Sequence, residues 1–193
     1  MPRILFICHG NICRSTMAES VMTELVRRAG RSGEFTIDSA ATSFEEIGNP
    51  PHRDTVAKLR EVGIPVVPHR ARRIEASEYG DWDRIVYMDR ENRRGLERIL
   101  GGDPAGKVSR LLDWTDSPRD VADPWYTGDF DATYRDVLAG CTALTSVDIS
   151  TWEMRAQAAA ATLNIQNMLQ GCAALNTISV GDGVVLYTSA ANT

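Results

Sequence analysis

No run of apolar residues approaches the roughly 18 that a membrane-spanning helix needs. The apolar stretch Ile4-Leu5-Phe6-Ile7 follows a single Arg3 and ends at once in Cys8-His9-Gly10. That is too short for the core of an export signal and suits a buried strand. Lysine is scarce: two of the 21 basic residues are lysines, Lys58 and Lys107. With a net charge of −5, the chain is a poor match for nucleic acid. Its one local basic cluster, Arg70, Arg72 and Arg73, reads as a solvated turn. There is no C-x-x-C pair, and the histidines His9, His52 and His69 are dispersed. The spacing of Cys8, His9 and Cys13 fits no common zinc pattern, so no metal is expected. The scatter of Cys8, Cys13, Cys141 and Cys172 is unlike a secreted disulfide scaffold, and reduced thiols in a cytoplasm are the expectation.

The first 150 residues alternate strand and helix signals. Strands are expected over 3–7, 35–39, 84–88 and 108–112, and helices over 15–28, 53–62, 90–100 and 130–144. Residues 113–128 read as a long polar loop. The alternation points to an α/β fold with parallel strands and right-handed crossovers. Ligands in such sheets sit beyond the carboxyl ends of the strands. The turns after Ile7 and Met88, and the loop after Leu112, then share one rim. From Trp152 onward only Glu153, Arg155 and Asp182 are charged. This stretch predicts an alanine-rich helix over 156–163 and a hairpin over 177–189, with no catalytic pattern. Two parts are therefore expected: a domain over 1–150 and an extension over 151–193 of no assigned role.

The chemistry concentrates in Cys8-His9-Gly10-Asn11-Ile12-Cys13-Arg14-Ser15, directly after a strand and directly before a helix. A short loop closing onto a helix N-terminus aims several backbone N–H groups at one point and forms an anion site. Gly10 permits close backbone approach or positive φ, and Asn11 tolerates the left-handed region. Arg14 offers a planar fork of donors to two phosphate oxygens. The same electropositive cradle favours a thiolate at Cys8, placed behind a bound phosphate for in-line attack. Ser15 can donate to that sulfur when it leaves.

The segment 5–19 resembles the low-molecular-weight protein tyrosine phosphatase family. Asp123-Pro124-Trp125-Tyr126 is similar to that family's Asp-Pro-aromatic-aromatic loop. Weaker matches follow in order at Asp38-Ser39-Ala40, His69-Arg70-Ala71-Arg72 and Met88-Asp89-Arg90-Glu91-Asn92. The resemblance spans about residues 2–150. It implies a three-layer α/β sandwich around a four-stranded parallel sheet, with the C-terminal extension unmatched. It implies hydrolysis of phosphotyrosine in protein substrates, with inorganic phosphate as product and no cofactor; it fixes no oligomeric state. Cys8 is implied as nucleophile, Arg14 as phosphate clamp and Asp123 as general acid and base. Asp116, Asp120 and Asp129 share the loop, and the Asp-Pro-Trp-Tyr context selects Asp123. His9, Gly10, Asn11, Ile12, Cys13 and Ser15 are implied to surround the phosphate. Trp125 and Tyr126 would form an aromatic wall, and Asn11, Ser39 and His69 would hold the loop in shape. Cys13 matches a second loop cysteine that pairs with the nucleophile under oxidation.

Two departures stand out. Thr16 replaces the proline usual at that position, and Phe44 sits roughly where many members carry an aromatic of the substrate wall, beside an unusual Glu45-Glu46. Three rival readings remain. Arsenate reduction needs relay cysteines, and none lies between Cys13 and Cys141. A protein arginine phosphatase tends to carry a small polar residue where this chain has Ile12. A non-catalytic phosphate-binding module has no need of Cys8, Arg14, Ser15 and Asp123 together.

Overall fold

The computed structural model describes residues 1–146; the expected helix and hairpin of the extension, and Cys172, lie outside the described residues. Strand β1 (Arg3–Cys8) is apolar on both faces, so it belongs in the middle of a covered sheet. It pairs in parallel with β2 (Thr36–Ala41) on one side and β3 (Arg84–Tyr87) on the other. Strand β4 (Val108–Arg110) pairs in parallel with β3, giving the order β2-β1-β3-β4.

Helices cover both faces. Leu5 and Ile7 share a core with Ile85, Tyr87, Ile74, Trp82 and Leu96, the last from α3 (Arg90–Leu100). Ile4 and Phe6, also fully buried, must project to the opposite face. Helix α1 (Arg14–Arg28) packs on β1 and β2 and is flanked by α2 (Arg53–Glu61). The Cys141 thiol of α5 (Phe130–Ser146) donates to Ala18 O of α1 at 3.8 Å. Close packing leaves no room for a side chain at Gly95, where a Cβ would lie 2.7 Å from Thr42. Among the described residues no helix is long and apolar enough to cross a membrane.

Several boundaries differ from the sequence expectations. Strand β2 extends through Ala40 and Ala41, which pair with Ile7 and Cys8. Leu111 and Leu112 leave the sheet for a 3-10 turn, Leu111–Trp114, closed by Arg110 and Asp113. The 113–128 loop contains a one-turn helix, α4 (Pro124–Thr127). Arg72 is not a solvated turn residue: its guanidinium bridges Asp38 and Glu78, each at 2.8 Å.

At the far end of α1, Glu24 is buried beneath the guanidinium groups of Arg27 and Arg28. The Arg27 hydrogen bond, with help from Arg28, holds its carboxyl down to about 2. A depressed carboxyl adds stability that is complete above its unfolded value and fades as pH falls through its folded one. Glu24→Gln is therefore expected to lower stability at neutral pH by about 1 kcal/mol, since both arginines are half in water. Melting curves of the two proteins should converge as pH drops from about 4.5 toward 2. A gap that persists at pH 2 would contradict this.

Candidate active site

The carboxyl end of β1 delivers Cys8 to the rim of the sheet, and the chain then folds back into α1 within five residues. Asn11 makes that turn possible: at φ 59° it is the one non-glycine residue with positive φ among the described residues. Gly10 does not use positive φ. Its role is close approach, because a Cβ there would lie 3.0 Å from Glu46 Cγ.

Asn11 is fully buried and satisfies all four of its amide bonds. Its Oδ1 accepts from the Arg72 backbone N–H at 3.0 Å and lies 2.8 Å from His69 Nε2. A backbone N–H can only donate, so the atom facing it is the oxygen and the amide orientation is settled. Nδ2 then donates to Ser15 Oγ at 2.9 Å and Ser39 Oγ at 2.8 Å. The Ser39 hydroxyl in turn donates to Glu19 Oε2 at 2.6 Å. Ser15, having accepted from Asn11, turns its O–H to Cys8 Sγ at 3.0 Å. The Asn11 backbone N–H also donates to Cys8 Sγ, at 3.2 Å. Two donors thus converge on the sulfur, and the network behind them leaves neither free to turn away.

Arg14 is 2% exposed and stands beside this loop. Its guanidinium binds Asp89 and Asp123 and donates to Val121 O at 3.1 Å. Burial alone would push the guanidinium down, but the anions of Cys8, Asp123 and Asp89 hold it above the ordinary arginine value. Its Nε is a buried donor with no protein partner. An unsatisfied donor of a buried cation is costly unless an anion binds there.

Asp89 caps α3 by accepting from Asn92 N–H at 2.8 Å. Asp123 caps α4 by accepting from Trp125 N–H at 3.1 Å, with Pro124 at the first helical position. The Val121 N–H donates to Met88 O at 2.9 Å and ties the Asp123 loop to the end of β3. Of the other acids in that loop, Asp120 pairs with Arg110 and Asp129 accepts from Ala132 N–H. Only Asp123 of these lines the cleft.

The cleft, about 100 Å³, is lined by Cys8, His9, Gly10, Ile12, Cys13, Arg14, Asp123, Trp125 and Tyr126, together with Glu45 and Glu46. Asn11 and Ser15 lie buried beneath it, and Ser39 and His69 lie behind Asn11. The structure thus brings together every site residue expected from the sequence. Phe44 departs from expectation: it is exposed under the Arg73 guanidinium, while its neighbours Glu45 and Glu46 line the cleft. Glu45 pairs with His9 at 3.0 Å. Asp89 and Glu19 were missed as partners of the site. An Asp capping a helix at the end of β3 was the available signal for Asp89. Thr16, in the proline position, donates to Cys13 O at 3.0 Å and so fastens the first turn of α1.

Glu19, Asp38 and His69 offer ligand atoms within 4.8 Å of one another, the spacing of a possible cation site. All three are already engaged. Glu19 accepts from Ser39 and faces His69 Nδ1 at 3.3 Å, and Asp38 binds Arg72. Cys8, Cys13 and Cys141 are free thiols. Burial, and then the charge of Cys8, pushes the Cys13 thiol up to about 12. Burial also raises Cys141. A thiol alkylates through its anion. Iodoacetamide at pH 7 is expected to leave Cys13 and Cys141 unmodified in the folded protein. Peptide mapping that finds a Cys13 adduct would contradict this.

A sequence profile described as low molecular weight phosphotyrosine protein phosphatase matches residues 3–159. The low molecular weight protein-tyrosine-phosphatase YfkJ of Bacillus subtilis is 38% identical over 75% of this chain and 94% of its own length. The human low molecular weight phosphotyrosine protein phosphatase is 37% identical over 72% and 91%. The crystal structure of YfkJ superposes with a TM-score of 0.72 over 75% of this chain and 92% of that one. A Drosophila arginine phosphatase superposes at 0.66 with 29% identity, over 73% and 94%. The chain belongs to the low-molecular-weight phosphotyrosine protein phosphatase family.

Proposed function

We propose that the protein hydrolyses phosphotyrosine in protein substrates through a phosphocysteine formed on Cys8. The observation that carries this reading is the buried Arg14 beside a sulfur on which two fixed donors converge. A phosphate dianion entering the cleft meets the free Nε of Arg14 and competes with Asp123 for the guanidinium. Arg14 keeps Asp89 and Val121 O as anchors, so the fork stays in place while Asp123 moves to the ester oxygen. There the carboxyl is placed to give a proton to that oxygen.

The Cys8 thiolate attacks phosphorus in line, the bond to the phenolic oxygen breaks, and Asp123 gives its proton to the departing tyrosine. Arg14 and the loop amides stabilise charge on the equatorial oxygens. In the second step the Asp123 carboxylate takes a proton from water as that water attacks phosphorus. The sulfur leaves as a thiolate onto the Ser15 O–H and Asn11 N–H. Every proton is accounted for by Asp123 and the attacking water, and the route calls on no metal.

Trp125 and Tyr126, 58% and 84% exposed, supply flat apolar faces for a phenyl ring at the mouth. Ile12 adds an aliphatic surface and packs near Phe130 and Ala71. An aryl phosphate fits this lining better than a cationic guanidino phosphate. Phosphorylated proteins of the cytoplasm are the substrates we assign, with inorganic phosphate released. The test is phosphate release from a phosphotyrosyl peptide, with the same peptide bearing phosphoarginine as comparator and a chelator present. Release from phosphotyrosine is expected; a preference for phosphoarginine, or no turnover with chelator, would overturn the reading.

A further inference from the structure

His52 does not line the cleft, yet two parts of the site, the phosphate loop and the Asp123–Trp125 turn, meet on it. Its backbone N–H donates to Ile12 O in the phosphate loop at 2.7 Å. Its Nδ1 accepts from Asp54 N–H at 3.3 Å and so caps α2. Its ring lies flat against Phe130, with centroids 5.5 Å and planes 6° apart. The same ring meets the Trp125 indole edge-on at 5.8 Å and 75°. Trp125 is largely exposed, so burial does little to hold it. Its backbone N–H is bound to Asp123 Oδ1, which places indole and carboxyl on one short turn.

We propose that His52 is a positioning residue for the Asp123–Trp125 turn. Its ring is pinned at its base to the phosphate loop and backed by Phe130. From there it props Trp125, and Trp125 carries Asp123 with it. The spacing between the Cys8 loop and the proton donor is then set by one imidazole. This rests on reading Asp123 as the general acid.

The two jobs of His52 can be separated by substitution. Asparagine caps a helix well but has no ring, and phenylalanine keeps a stacking ring but cannot cap. The measurement is kcat/KM for phenyl phosphate and para-nitrophenyl phosphate in native protein, His52→Asn, His52→Phe and Asp123→Asn. This quantity covers events up to phosphocysteine formation and so reports on the acid. Phenol, the more basic leaving group, needs the proton more. Asp123→Asn is expected to lose far more on phenyl phosphate than on the nitro ester. His52→Asn should show the same pattern on a smaller scale, about tenfold against about threefold, with Tm little changed. His52→Phe should recover to within about twofold of native while its Tm falls by ~3 °C.

Equal losses on both esters in His52→Asn, no loss at all, or equal impairment of His52→Phe would overturn the proposal. A flat response in Asp123→Asn would instead remove the acid reading, and the positioning role with it.

Discussion

Replacing Cys8 with serine is expected to lower turnover of a phosphotyrosyl peptide by at least about 10⁴-fold. The change is one atom, at a buried position on the cleft floor, so the fold should hold. What it removes is the sulfur that the proposed route uses as nucleophile. The donors at Cys8, Ser15 Oγ at 3.0 Å and Asn11 N at 3.2 Å, favour a charged sulfur. A serine hydroxyl in the same place keeps its proton, because no base stands within reach to take it. Asp123 is bound to Arg14, and on the proposed route it acts at the leaving oxygen, across the phosphate from the sulfur. Serine also fails in the second step, since an alkoxide is a far poorer leaving group than a thiolate. Peptide binding, measured by calorimetry, should survive, because Arg14 and the loop remain. Turnover that persists in the Cys8→Ser variant would remove the covalent route.

Replacing Asp123 with asparagine is expected to lower kcat by roughly 10²–10³-fold. Asparagine is the informative choice because it separates shape from charge. Its carbonyl oxygen can still accept the Trp125 N–H, so the cap of α4 is kept. Arg14 retains Asp89 and Val121 O and stays seated. What is lost is the ability to give a proton to the phenolic oxygen and to take one from water. The limb of the pH–rate profile that belongs to this carboxyl should vanish as well. A loss of less than about threefold, with both limbs intact, would mean that proton transfer does not run through Asp123.

The part of the site legible in the sequence is the part made by short-range order. The apolar run of β1, the turn with Gly10 and Asn11, and the helix from Arg14 follow one another within a few residues. Local propensity and chemistry agree there, so the anion loop was readable. Asp123 was readable by resemblance, and its context of proline at the first helical position also marks a one-turn helix. Periodicity could not reveal α4, which at four residues is barely one helical turn and so repeats nothing.

What was not legible depends on pairing across long distances. Ala40 and Ala41 carry no strand preference of their own and become strand because Ile7 and Cys8 lie beside them. Leu111 and Leu112 look like the end of a strand, but Arg110 and Asp113 close a turn around them. Asp89 reaches Arg14 from 75 residues away, which no local pattern can report. Which residue of the 44–46 loop faces the cleft is also beyond local pattern: Glu45 and Glu46 line it and the apolar Phe44 does not.

The most direct measurement of the central claim is to quench the protein in acid during turnover of a phosphotyrosyl peptide and map the phosphoryl group by mass spectrometry. The account predicts one phosphoryl group on the sulfur of Cys8, absent when the quench precedes substrate. Turnover at full rate with no phosphoryl group on Cys8, or with the group on another residue, would contradict it.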